Sequence, residues 1–139
     1  MTRAAGLGLA IAVLLALLAA GWWLRPAEPA AATVVECADL AHACRFRHAG
    51  RSWTVQADRP PSALRPFRLG VTGTDVPLTA RFGMAGMEMG PIAVALKPAG
   101  PGEQAAQALL PLCVQGRRDW RLWLDGDGGR IELRFTAAG

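Results

Sequence analysis

The chain has 139 residues, 52% of them apolar, with 15 Lys and Arg against 11 Asp and Glu, and one uncharged block from Ala4 to Leu24 carries much of the apolarity. Setting residues 1–25 aside leaves 114 residues, which is one small domain and not a multidomain enzyme. Without Arg3 and Arg25, which flank the block, 13 basic residues face 11 acidic ones; Lys97 is the only Lys, and the arginines alternate with apolar positions instead of clustering, which excludes a nucleic-acid footprint.

The first predicted element is the block itself. Its 21 uncharged residues would form a helix of about 31 Å, the hydrocarbon thickness of a bilayer. Trp22 and Trp23 close it as an interfacial anchor, and Arg25-Pro26 stops it. The alternative is a cleaved signal peptide, with Arg3 as the charged start and Ala30, Ala31 and Ala32 offering an A-x-A site. The length of the run and the tryptophan pair favour a retained anchor. No Cys follows the run, so a lipoprotein anchor is not indicated. Residues 1–25 therefore read as a transmembrane anchor or signal segment and 26–33 as a Pro/Ala linker. Residues 34–139 read as an exported domain, facing the periplasm from a single pass in the inner (plasma) membrane.

From Val34 onward the apolar residues repeat every second position. Cys44, Phe46 and His48 share a face, and after the Ala49-Gly50 turn Trp53, Val55 and Ala57 do so too. Phe67, Leu69 and Val71, then Val76, Leu78, Ala80 and Phe82, then Ile92, Val94 and Leu96 continue the pattern. The last pair is the clearest: Trp120, Leu122 and Leu124 are expected opposite Ile131, Leu133 and Phe135 across an Asp/Gly loop, with Arg121, Arg130, Glu132 and Arg134 pointing to water. Glu103 to Leu110 has helix-forming composition between strands and stays ambiguous. Short strands at this spacing predict an all-β protein, a β-sandwich.

Three groups of residues carry chemistry. Met84, Met87 and Met89, all the methionines after Met1, fall within six residues of a Gly-rich stretch between two strands. Thioethers are soft, uncharged donors that favour Cu(I); the competing reading is that they are plastic packing at the end of the sandwich. Cys37 and Cys44 form the close pair for which a disulfide is the default in an oxidising compartment. Cys113 is left as a buried free thiol, a competing disulfide partner, or an additional metal ligand. His42 and His48 give C-x4-H-x-C-x3-H with those cysteines, which is no zinc pattern, and they read as solvated histidines. With no Tyr or Asn, and with Ser52 and Ser62 set neither in a nucleophile elbow nor beside a His, the chain is not expected to be an enzyme.

The stretch VPLTARFGMAGMEMG, the strand after it and a Trp-containing strand near the C-terminus resemble the FixH-like and YtkA-like small membrane-anchored proteins, over roughly Leu64 to Phe135. The resemblance implies an immunoglobulin-like sandwich outside the membrane and a role in building copper-containing respiratory oxidases. It would make Met84, Met87 and Met89 the Gly/Met-rich segment and Trp120 the Trp of the last hairpin. The chain departs from it in lacking a Tyr after the Met segment and in carrying Cys37, Cys44 and Cys113. The resulting expectation is a membrane-anchored periplasmic protein that binds copper as Cu(I) or assists oxidase assembly, with oxidase subunits or other copper proteins as partners. The alternative is a metal-free accessory subunit docking on a membrane respiratory complex through its helix and the FGMAGMEMGP loop.

Overall fold

A computed structural model describes residues 2–23, 32–84, 86, 87, 90, 92–126 and 128–139; within the N-terminal helix, α1 (Thr2–Trp23), side chains are described for residues 11–21. All of those side chains are exposed, Leu14, Leu15, Leu17 and Leu18 among them. Among the described residues no helix is long and apolar enough to cross a membrane.

Beyond α1, the described residues form a sandwich of ten strands: β1 (Thr33–Glu36), β2 (Cys44–His48), β3 (Arg51–Ala57), β4 (Phe67–Thr72), β5 (Thr79–Met84), β6 (Ile92–Ala95), β7 (Lys97–Gly100), β8 (Glu103–Ala108), β9 (Asp119–Gly126) and β10 (Gly129–Thr136). One sheet runs β1-β10-β9-β5-β6 and the other β2-β3-β4-β8-β7. Thr33, assigned to the spacer on sequence, is already the first residue of β1, which pairs in parallel with β10.

The alternation predicted for these strands decides which face each presents. Trp53, Val55 and Ala57 of β3 and Phe67, Leu69 and Val71 of β4 are buried, while Gln56, Arg68 and Thr72 between or beside them are exposed. In the opposite sheet Leu124, Leu122 and Trp120 stand across from Ile131, Leu133 and Phe135, the register expected from the sequence. The two inner faces meet where the rings of Phe67 and Phe82 pack edge to face at 5.9 Å. The Ala49-Gly50 turn closes the β2–β3 hairpin with both residues at positive φ, 49° and 75°, as a type I′ turn requires.

The segment Glu103–Leu110, ambiguous on sequence, is strand through Ala108. The buried Gln104 explains it: its amide donates to the carbonyls of Thr74 and Val76 and its oxygen accepts from the Leu78 N–H. Those bonds satisfy the β4–β5 crossover and hold the segment in register with β4. Glu132, expected in water, is 9% exposed. The indole of Trp123 covers that face, lying over Gly83 so closely that a Cβ there would sit 2.7 Å from the ring, and Trp123 Nε1 donates to Glu132.

Candidate functional site

β5 carries the first methionine to the end of the sandwich farther from Thr33. Met84 is its last residue, paired with Trp120 and 4% exposed, so its thioether belongs to the core. The chain then turns through Gly86, at φ 70°, and the Met87 N–H donates back to the Met84 carbonyl at 3.4 Å. Met87 is half-buried against the core. Met89 lies outside the described residues.

The long connection from β8 to β9 comes over the same end. It brings Cys113, buried and free, to Met87, and the Cys113 thiol donates to the Met87 sulfur at 3.7 Å. A turn ending at Gly116, whose N–H donates to the Cys113 carbonyl at 3.0 Å, fixes the cysteine. The flanking Leu112 and Val114 are 61% and 91% exposed, so the sulfur pair lies at the base of an apolar rim. Of the four sulfur ligands considered on sequence, the described structure brings Met87 and Cys113 together and sets Met84 in the core. A separation of 26 residues hid that contact from a reading by local spacing.

The donor set fits a soft monovalent ion. Two sulfurs 3.7 Å apart can both reach one metal at a metal–sulfur distance of about 2.3 Å, and thioether with thiolate is a ligand pair that selects Cu(I) over hard or borderline metals. Among the described residues no group of three His, Cys, Asp or Glu side chains could hold an ion.

Cys37 and Cys44 form a disulfide with Cα atoms 5.9 Å apart. It ties the end of β1 in one sheet to the start of β2 in the other, and the loop it closes buries Leu40 completely. The Leu40 carbonyl accepts from the Ala57 N–H, and the Cys37 N–H donates to the Arg134 carbonyl. His42 is exposed on this loop and caps Asp39, whose carboxyl is held below the ordinary value chiefly by the His42 backbone N–H. His48 stands at the opposite end of the sandwich. Its Nε2–H donates to the Gly128 carbonyl at 3.1 Å, leaving Nδ1 to accept from the Thr33 hydroxyl at 3.0 Å. The two histidines and the cysteines therefore do not converge.

Comparison of the chain with models of protein families, with curated proteins and with solved structures finds no match.

Proposed function

We propose that the chain is a single-pass membrane-anchored, periplasm-facing protein whose immunoglobulin-like β-sandwich holds Cu(I) at its outer end and serves the assembly of a copper-containing respiratory oxidase. The observation that carries this reading is the approach of the Cys113 and Met87 sulfurs to 3.7 Å across two loops. A soft-metal carrier needs such a pair, partly buried yet next to exposed chain through which the ion can pass to a partner. Strand order supports the immunoglobulin-like assignment: β4, β8 and β7 lie side by side in one sheet, β6, β5, β9 and β10 in the other, and β1 runs parallel beside β10. The anchor is supported by α1, in which Ile11, Val13, Leu14, Leu15, Leu17 and Leu18 are all more than half exposed and would be costly to leave in water. The oxidase as destination rests on the resemblance of the VPLTARFGMAGMEMG stretch.

Anaerobic Cu(I) titration of the full-length protein tests the reading. Met87→Leu and Cys113→Ala are each expected to weaken binding at least about tenfold, the loss of one ligand bond worth 1.4 kcal/mol or more. Met84→Leu should leave binding unchanged. Uptake by the Met87→Leu, Cys113→Ala double variant equal to that of the parent would refute the site.

A metal-free docking subunit is favoured by a different observation, the exposed Leu112 and Val114 beside the Met loop. In that case Met87→Leu would preserve association with the partner complex, whereas Val114→Asp would abolish it.

A further inference from the structure

The end of the sandwich where β1 begins holds a feature that the copper reading does not use. A cavity of about 340 Å³ opens between the two sheets there, within the size range of small-molecule sites. Its floor and walls come from both sheets: Trp53, Leu78, Leu124 and Ile131 are buried, and Val76 stands half-buried at the side. The floor is apolar and would take hydrocarbon, and the buried Thr74 beside it has its hydroxyl engaged by the Val76 N–H.

The mouth has the opposite character. His48 and Arg51, paired across the β2–β3 hairpin, border it, and no acidic residue lines it among the described residues. Arg51 is exposed and, among the described residues, has no carboxylate partner. Asp125, on the neighbouring hairpin, is already engaged by Arg81 and Arg130. His48 is oriented by its bonds to Thr33 and Gly128, which spend both ring nitrogens, so the free donor at the mouth is the Arg51 guanidinium.

We infer that this cavity binds a single-chain amphiphile with an anionic head, a carboxylate or a phosphate, its tail between the sheets and its head on Arg51. A guanidinium recognises both head groups in the same bidentate way. Thr33, at this same end, begins the sandwich, with nine residues between it and the end of α1, so under the anchored reading the chain between them holds the mouth within about 30 Å of the bilayer surface, where such molecules are found. That supply rests on the anchored reading; the binding itself does not.

The test uses the full-length protein in phosphatidylcholine vesicles, titrated calorimetrically with octyl phosphate and with octanoate, with the heat from protein-free vesicles subtracted. Saturable binding of at least one is expected, with octanol and inorganic phosphate each much weaker because each lacks half of what the site reads. The stronger of the two anions tells whether a phospholipid-type or a fatty-acid-type head is preferred. Arg51→Gln should weaken binding about ten- to a hundredfold, the range for losing a hydrogen bond to a charged group, and Val76→Trp should abolish it by filling the cleft. Met87→Leu should leave it unchanged, which separates this site from the copper site. No saturable binding in the parent, or binding undiminished in Arg51→Gln, overturns the inference. Arg51 is exposed, so that variant is decisive even where Val76→Trp fails to fold. Protein that fails to fractionate with membranes yet still binds octyl phosphate, titrated in buffer alone, would refute the anchored reading and leave the cavity standing.

Discussion

At the end where β1 begins, successive strands are joined by tight turns at Ala49-Gly50, at Pro101-Gly102 and at the β9–β10 hairpin, and the connections that cross between sheets there are short, β4–β5 over residues 73–78 and β6–β7 through Leu96 alone. At the opposite end the connections are long. Residues 37–43 and 109–118 cross between sheets, and residues 58–66 and the methionine segment rejoin their own sheet after a detour. Short turns are fixed by local backbone chemistry, whereas long crossings must be held by something else. Here the disulfide, the buried Leu40 and the Cys113–Met87 contact hold them. The end that needs extra fastening is thus the one rich in sulfur, and a soft-metal site there would add one more link of the same kind.

The most severe way to break the comparison is to remove what both ends share. Phe82, 1% exposed and packed edge to face on Phe67, bridges the sheets midway. Phe82→Ala should cost about 3–5 kcal/mol, read as a fall in denaturant midpoint. A much smaller loss would mean that each end folds on its own support.

The disulfide comes next. The pair Cys37→Ser, Cys44→Ser should destabilise by about 2.5 kcal/mol on the loop-entropy estimate for a loop of this size. The loss should fall on the far end, with faster amide exchange at Ala57, whose N–H donates to the Leu40 carbonyl of the loop, and at Cys37, whose N–H donates to the Arg134 carbonyl, than at Gly73, whose N–H donates to the Gly102 carbonyl at the other end. Uniform acceleration at both ends would erase the distinction drawn here.

The same distinction governs what the sequence discloses. Strand faces, the β2–β3 and β9–β10 hairpins and the Cys37–Cys44 pairing are legible because each depends on residues close together in the chain. The segment around Gln104 stays ambiguous in sequence because its helix-compatible composition is overridden by partners 26 to 30 residues away. Glu132 misleads because its alternation correctly puts it on the outer face, but only the structure shows Trp123 roofing that face. Met84, Met87 and Met89 look equivalent in sequence, yet the end of β5 divides Met84 from Met87, and Cys113 joins Met87 only through a crossing loop. The cavity between the sheets leaves no local trace, since its walls come from β3, the β4–β5 connection, β9 and β10.

A smaller effect is expected at the turn-rich end. His48→Phe keeps the ring against Trp53, 5.9 Å away, but removes the bonds to Thr33 and Gly128. At roughly 0.5–1.5 kcal/mol for each bond, the total should stay near or below the cost of opening the disulfide, because both orphaned oxygens can turn to water. A loss clearly larger than that of the disulfide would show that β1 is docked chiefly at its beginning, and the weighting of the two ends would have to be reversed.

The smallest effect lies on neither end but on the outer face between them, and pH isolates it. Burial pushes the Glu132 carboxyl upward, but hydrogen bonds from Arg134 and Trp123 and the charge of Arg121 outweigh it, so the group is held below its ordinary value of 4.5. A carboxyl lowered by folding stabilises the protein at every pH above its unfolded value, and that stability is lost as the pH falls through the folded value. From neutral pH down to about 5 the contribution should be constant, and below 4.5 it should fade. Glu132→Gln keeps the shape and an acceptor for the Trp123 N–H but not the charge facing Arg121 and Arg134. Parent and variant should therefore differ most at neutral pH and converge under acid, as followed by thermal melting across the range. A constant gap between them down to pH 2 would mean that the residue acts through packing alone. Asp119, also held low by its bond from Arg117, is exposed, so its removal should change the acid limb much less than removal of Glu132.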